Sequence, residues 1–199
     1  MVLTKSILQI LFGRTITLSL LPFNMATFLV ANCQFGRASV IKSNDRPFGN
    51  VQDMNEEMIE KWNSVVTDND DVIHLGNFAW DPTTAHEVLE QLNGRSILLV
   101  PAEHDQAILE MQSTGMLPAR AKVVNRIFDQ GQLNATFSYW PMMEWPKKKK
   151  GHYLFYGFYG KKYKPDHKKK LINMAVEFWN YTPQNINTLM RLFEDKDFE

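Results

Sequence analysis

The stretch VIHLGNFAW, residues Val72 to Trp80, decides the fold class of this chain. Its β-branched and apolar residues end at Gly76, and the polar residue Asn77 follows directly. The pattern predicts a buried strand that presents one polar side chain at its C-terminal end. Ligands of open α/β sheets lie beyond the carboxyl ends of the strands, so we expect a functional site near Asn77.

Strand and helix patterns alternate on both sides of this stretch. Short apolar runs predict further strands at 27–31, 97–100, 123–128, 135–138, 153–156 and 171–177. Apolar residues at helical spacing predict helices at 51–66, 83–92, 106–114 and 185–193. From residue 123 onward the strand signals become hairpin-like. This order predicts an α/β fold with a central β-sandwich and helices outside it.

The composition is that of one well-cored domain in a reducing compartment. The chain has 199 residues, of which 44% are hydrophobic, and Lys plus Arg equal Asp plus Glu at 22 each. This length and apolar content suffice for a single hydrophobic core. The single cysteine, Cys33, excludes an internal disulfide and a multi-cysteine zinc site, so we expect a cytoplasmic protein.

The balanced net charge conceals an uneven distribution. Residues 147–170 contain ten lysines and one acid, Asp166, so this segment carries +9 and the remainder carries −9. Basic residues around an aromatic strand are typical of surfaces that bind single-stranded nucleic acid. The alternatives are an acidic protein partner, including a second copy of this chain, and solvated hairpin tips. The candidate polyanion-binding residues are Lys147, Lys148, Lys149, Lys150, Lys161, Lys162, Lys164, Lys168, Lys169 and Lys170.

Residues 1–24 differ from the rest of the chain. They are apolar and rich in hydroxyl groups, but Arg14 interrupts the apolar run and no A-x-A-like cleavage site follows. The run is too short to span a bilayer, so we expect neither a signal peptide nor a membrane anchor. We predict an N-terminal extension or arm at 1–24 and one folded domain at 25–199. The extension is either an assembly arm or the product of a start codon upstream of Met25.

Several different short motifs follow one another along residues 25–195. They are Arg46-Pro47-Phe48, Met54-Asn55-Glu56, Trp62-Asn63, 74–78, Leu92-Asn93-Gly94, Glu103-His104-Asp105, 138–142, 157–160 and 173–183. In this order and spacing they resemble the small bacterial and phage branch of the calcineurin-like metallophosphoesterases. The resemblance implies a metallophosphoesterase-like β-sandwich flanked by helices, in α-β-β-α layers, and a phage or bacterial origin.

Enzymes of that family hold two divalent metals on side chains at the strand ends, and the resemblance places other residues there. Asn77 takes the position of the metal-bridging aspartate, and Arg37 takes that of a site histidine. The other ligand positions of the family correspond to Asn32, Gln34, Glu103, Tyr139, Phe158 and Gly160. The histidine and aspartate that follow Glu103 are kept as His104 and Asp105, which we expect to be relics.

This residue set predicts that the di-metal centre is lost. Two divalent cations about 3.5 Å apart repel by about 19 kcal/mol at an effective dielectric of about 20. Amides at Asn32 and Asn77 cannot offset that repulsion as carboxylates would, and Phe158 and Gly160 have no donor atoms. We therefore expect no cofactor, with one weakly held divalent metal on Glu103 and Asp105 as the alternative.

The resulting interpretation is a catalytically inactive protein that acts as a structural or protein-interaction component, in the cytoplasm or in a phage-type assembly. A residual phosphoesterase with a single-metal site is one alternative, and binding of polyanions through the lysines is another. Three side chains have smaller expected roles. We expect Arg37 to replace a metal cation and pair with Glu103, His74 to be a satisfied core histidine, and Cys33 to be a small packed residue.

Overall fold

The computed structural model describes residues 25–159, 166 and 169–194. Its elements are β1 (Thr27–Val30), α1 (Ser39–Ser43), α2 (Val51–Val65), β2 (Asp71–His74), α3 (Pro82–Gln91), β3 (Ser96–Leu99), α4 (Gln106–Thr114), β4 (Ala121–Val123), β5 (Ile127–Gln130), β6 (Ala135–Ser138), β7 (Tyr153–Tyr156), β8 (Leu171–Asn173), β9 (Gln184–Asn185) and α5 (Ile186–Glu194). The predicted extension at 1–24 lies outside the described residues. So do Gly160 and the lysines Lys161, Lys162, Lys164 and Lys168.

The first sheet carries the strand ends at which a site was expected. Its strand order is β4-β3-β2-β1-β9, in which β1 to β4 are parallel and β9 is antiparallel. Val30 is level with His74, and His74 is level with Leu99. The segments that follow β1, β2 and β3 therefore leave the sheet at the same edge.

The second sheet differs from the hairpins that the sequence predicts. Its order is β5-β6-β7-β8, and only the β5–β6 pair is antiparallel. The connections 139–152 and 157–170 are long enough for crossovers, and β7 is buried along its whole length, as strands of parallel sheets are. The strand predicted at 123–128 is also wrong, because β4 and β5 belong to different sheets.

Two cores lie on opposite faces of the first sheet. Helices α1 to α4 cover one face, where α2 contributes Met54, Met58 and Trp62 at helical spacing. Ile73 and Leu75 face the other way and share a core with Phe137 and Phe155 of the second sheet. The structure is thus α/β, with two mostly parallel sheets.

The outer side of the second sheet is covered differently from the expected helical layer. Thr136 faces outward and its hydroxyl donates to the carbonyl of Pro146 at 3.2 Å. Trp145 is buried there, and its indole nitrogen donates to the carbonyl of His152. Within the described ranges this layer is the loop 139–152, which includes a 3₁₀ turn at Lys148–Lys150.

Local signals explain why the predicted helices are close to the observed ones. The side chain of Asn50 accepts from the amide of Asp53 at the start of α2, and Asp81 does the same for Thr84 in α3. Gly115 ends α4 in a left-handed conformation. In the described part of the chain no helix is long and apolar enough to cross a membrane.

Candidate functional site

The site begins where the segments after β1 and β2 run side by side. The amides of Asn32, Gln34 and Phe35 donate to the carbonyls of Gly76, Asn77 and Phe78, each at 2.9 Å. Asn32, Gln34 and Asn77 all have positive φ, at 62°, 54° and 56°. This uncommon conformation turns three amide side chains toward one another at the edge of the sheet.

These amides form a continuous hydrogen-bonded group. The Oδ1 atom of Asn32 accepts from Nε2 of Gln34 at 2.8 Å and from Nδ2 of Asn77 at 3.1 Å. The Nδ2 atom of Asn77 also donates to the hydroxyl of Tyr139 at 2.8 Å. Four side chains that the resemblance assigns to metal-ligand positions are therefore bonded to one another.

Glu177 anchors one end of this group. The 3₁₀ turn that holds it follows β8, and Val176 donates its amide to the carbonyl of Ala31 at 3.0 Å. The Oε1 atom of Glu177 accepts from Nδ2 of Asn32 at 3.2 Å and from Nδ2 of Asn44 at 2.8 Å. The segment after β8 therefore brings a carboxylate to the end of β1.

Arg46 neutralises that carboxylate. Its Nη2 atom lies 2.7 Å from Oε1 of Glu177, and the two side chains are only 0% and 6% exposed. The same guanidinium donates to the carbonyls of Asn32 and Cys33 at 2.6 and 2.7 Å. Sequence reasoning missed Glu177 and Asn44, and it noted Arg46 only as part of a motif.

Arg37 anchors the other end. Its Nη1 atom donates to Oε1 of Gln34 at 2.7 Å, and its guanidinium lies 4.7 Å from the centre of the Trp80 ring. A carboxylate only accepts and a guanidinium only donates, so Glu177 and Arg37 together fix the orientation of all three amides. We refer to Arg37, Gln34, Asn32, Asn77, Tyr139, Glu177, Asn44 and Arg46 as the amide network.

The expected pairing of Arg37 with Glu103 is not found. Among the described residues no ion pair joins them, and Glu103 and His104 are both exposed. Arg37 instead packs on Trp80 and donates to Gln34. An ion pair in solvent contributes little, whereas a guanidinium over an indole ring gains a cation–π contact.

Asp105 has a structural role in this geometry. It is fully buried, and its two oxygens accept from the amides of Asn77, Phe78 and Ala102 at 2.6, 2.7 and 2.6 Å. It thereby fastens the segment after β2 to the segment after β3. Burial raises the pKa of Asp105, and the three amide donors oppose that rise.

The remaining ligand positions are apolar or neutral. Phe158 stacks on Trp140 with a centroid distance of 4.9 Å. A Cβ atom at the neighbouring Gly157 would lie 1.9 Å from the carbonyl oxygen of Leu75, so only glycine fits there. Burial raises the pKa of Tyr139 to about 12, so its hydroxyl is a neutral phenol.

The side chains present do not fit two divalent metals. The donor atoms of the amide network belong to neutral amides, a phenol and the carboxylate of Glu177, which is already paired with Arg46. The amide oxygens of Asn32 and Gln34 already accept hydrogen bonds, whereas Oδ1 of Asn77 is buried without a partner among the described residues. Across residues 25–159, 166 and 169–194, no group of three or more His, Cys, Asp and Glu residues is placed to hold a metal. The cavity beside Asn77 and Arg37 has about 10 Å³, about the space of one water molecule.

His74 corrects another expectation. Both ring nitrogens are buried without a hydrogen-bond partner among the described residues, so the predicted satisfied histidine is wrong. The ring packs edge-on against Phe78 with a centroid distance of 5.1 Å. Burial lowers the pKa of His74 to about 3, so the ring is neutral. Cys33 is buried as expected, and burial raises the pKa of its thiol.

Four of the six described lysines of residues 147–170, Lys148, Lys149, Lys169 and Lys170, line a groove on the outer side of the second sheet. Lys147 lies 2.5 Å from Asp129, Lys148 lies 3.0 Å from Glu144, and Lys169 lies 2.9 Å from Asp166. Lys170 donates to the carbonyl of Gly151 at 3.0 Å, whereas Lys149 and Lys150 are exposed. The rings of Tyr153, Phe155 and Tyr156 are buried core residues.

Known proteins share the fold of this chain. No protein-family profile matches it. An uncharacterized protein from Methanocaldococcus jannaschii is 27% identical over 175 residues, which cover 84% of this chain and 90% of that protein. A crystal structure of a protein of unknown function from Aquifex aeolicus matches with a TM-score of 0.63 at 18% identity. The match covers 85% of this chain and 100% of the other, so the two proteins share an α/β architecture.

Proposed function

We propose that this protein is a catalytically inactive metallophosphoesterase-like domain that acts as a structural or protein-interaction component, in the cytoplasm or in a phage-type assembly. The amide network carries this proposal. Four of its members, Asn32, Gln34, Asn77 and Tyr139, stand where the resemblance puts metal ligands, and they are bonded to one another between Arg37 and Glu177.

The positive charge of Arg46 also supports the proposal. Arg46 is a permanent cation next to Glu177, and it also bonds two backbone carbonyls at the end of β1. In this interpretation the guanidinium supplies the positive charge that a metal would bring to this edge. The sequence suggests that Arg37 replaces a metal cation. Arg46 fits this role better.

The single-metal alternative has weaker support. It needs the oxygens of Asp105, which accept three backbone amides. Hydrogen bonds to a charged group contribute about 1.5–3 kcal/mol each, so a metal would have to replace a costly set of contacts. Glu103 is exposed and would have to close onto the site.

The test is metal content together with hydrolysis. The full chain, purified without chelators, is analysed for metals by mass spectrometry and assayed on bis(p-nitrophenyl) phosphate with Mn²⁺, Zn²⁺ or Mg²⁺. We expect no stoichiometric transition metal and no turnover above a chelated control, because the part of the chain that the structure describes has no group of His, Cys, Asp and Glu residues placed to hold a metal that could activate water.

A specific result would overturn the proposal. Metal-dependent hydrolysis by the unmodified chain, abolished by Glu103→Ala or His104→Ala, would favour the residual phosphoesterase. Both side chains are exposed, so these variants are expected to fold and to report on chemistry alone. Circular dichroism of each variant checks that expectation.

A further inference from the structure

The groove on the outer side of the second sheet has an apolar wall and a basic rim. Its volume is about 920 Å³. Pro141, Met142, Met143 and Trp145 form the wall, and the side chain of Met143 is 90% exposed. Flexible methionines at a surface are typical of sites that adapt to a protein partner.

The rim of the groove is positively charged. Lys148, Lys149, Lys169 and Lys170 line it with one acid, Asp166, which gives a net formal charge of +3. Lys148 and Lys169 are held by ion pairs of 3.0 and 2.9 Å near the surface. Such pairs contribute little, so these lysines can exchange to carboxylates of a partner.

The aromatic residues near the groove favour a protein partner over single-stranded nucleic acid. Bases stack on exposed rings, but Trp145, Tyr153 and Tyr156 are buried. The exposed apolar atoms of the wall belong to methionine. The basic residues next to this wall suit an acidic surface of a protein.

Helix α2 of the same chain presents a surface of the opposite charge. Asp53, Glu56, Glu57 and Glu60 line a shallow depression together with Lys61, which gives a net formal charge of −3. Their spacing of three, four and seven residues places them in one stripe on the solvent side of the helix. At 1.5 Å per residue the stripe is about 10 Å long. We call it the acidic stripe.

We propose that the groove of one copy of this protein binds the acidic stripe of α2 of a second copy. The proposal deepens the proposed function, because it names the partner of an interaction protein as another copy of the chain. Groove and stripe are different surfaces, so the contact is head-to-tail and extends to further copies unless the rotation closes a ring.

Sedimentation velocity of the full chain at low and high salt tests this association. At about 0.05 M salt we expect assembly that grows with protein concentration. At about 0.5 M salt we expect at least about tenfold weaker association, because screening acts on exposed charges.

Charge reversal tests which surfaces meet. A groove variant carries Lys148→Glu and Lys149→Glu, and a stripe variant carries Glu56→Lys and Glu60→Lys. Each variant alone should be monomeric at low salt, because its groove and its stripe then repel each other. A one-to-one mixture should assemble again, because each groove then meets a stripe of opposite charge. Reversal of Lys42 and Lys122, which are exposed outside the groove, is the control and should leave assembly unchanged.

Three results would overturn the proposal. The first is an unmodified chain that stays monomeric at low salt, and the second is failure of the mixture to assemble. The third is salt-dependent binding of a thymidine oligonucleotide that the groove variant loses, since this would assign the groove to nucleic acid. Hydrolysis assays on the same preparations separate the two proposals, because metal-dependent turnover contradicts the proposed function without affecting assembly.

Discussion

The amide network and the lysine-lined groove are both polar, but they use polarity in opposite ways. In the network Glu177 is paired with Arg46, and the amides between Glu177 and Arg37 are bonded at both ends. The groove carries a net +3 at the surface, and Lys149 has no ion pair within the described ranges. Buried polar groups that form hydrogen bonds and ion pairs with one another stabilise the fold. Surface groups with an excess of one charge can bind a partner of the opposite charge. The comparison therefore predicts where stability and where binding should change.

We expect the largest effect on stability from the substitution of Arg46. Arg46→Met leaves the buried carboxylate of Glu177 without its cation, so we expect a loss of about 3–5 kcal/mol in the free energy of unfolding. Urea denaturation measures this loss. The control is Arg95→Met, which breaks a pair with Asp71 whose side chains are 50% and 31% exposed and should cost much less. Equal losses would remove the distinction between buried and exposed pairs.

A restored carboxylate in the network should destabilise it. Asn32→Asp exchanges an amide donor 3.2 Å from Glu177 for a second acceptor, which we expect to cost about 2–3 kcal/mol at pH 8. The like charge that the new carboxylate meets is that of Glu177. Glu177 would raise the pKa of the new aspartate in the folded state. The lost stability should therefore be smaller at pH 5 than at pH 8.

Urea denaturation at both pH values checks this prediction, with exposed Asn125→Asp as the control. Neither Asn32→Asp nor its combination with Asn77→Asp should restore hydrolysis, since Tyr139 and Phe158 still supply no metal ligand. A stable Asn32→Asp variant at pH 8 would mean that the amide orientation is not important.

His74 sharpens the comparison, because it is buried and has no hydrogen-bond partner among the described residues. Its pKa is about 3 in the folded state against 6.5 for an ordinary histidine. Since the folded pKa is lowered, stability is complete above 6.5 and is lost as the pH falls toward 3. The loss from His74 should reach about 2 kcal/mol between pH 7 and pH 5.

The substitution His74→Leu removes the contribution of His74 to the pH dependence of stability. The unfolding free energy of the unmodified chain should fall more steeply with decreasing pH than that of the variant. Parallel curves from pH 7 to pH 5 would contradict a neutral buried ring.

The smallest expected effect on stability belongs to the groove. Lys148→Gln with Lys149→Gln should change the free energy of unfolding by less than about 0.5 kcal/mol, because both side chains lie at the surface. Thermal denaturation checks this at high salt, where assembly is screened. A large loss would mean that the lysines stabilise the fold rather than bind a partner.

Local patterns predicted four of the five described α-helices, all but α1, and most strands, because the causes of these elements are local. The apolar spacing of Met54, Met58 and Trp62 and the caps at Asn50 and Asp81 lie within a few residues of what they specify. The direction of β7 and β8 has no such signal. The long segments before these strands allow either direction, and burial of both faces decides it only in the folded protein.

The site was predictable only in part for the same reason. Asn32, Gln34 and Asn77 follow strands that the sequence reveals, so their meeting at one edge could be expected. Glu177 bonds Asn32 across 145 residues and Arg46 across 131 residues. Nothing near Glu177 in the chain marks those contacts. The lack of a hydrogen-bond partner for His74 within the described ranges was equally hard to predict, because a histidine in an apolar strand usually finds a hydrogen bond.

Cys33 makes it possible to measure how often the amide network opens. It lies between Asn32 and Gln34, it is the only cysteine of the chain, and its carbonyl is held by Arg46. The closed protein keeps the thiol buried and protonated, so a thiol reagent can modify it only during transient opening. The labelling rate therefore measures how often this edge of the sheet opens, and no engineered cysteine is needed.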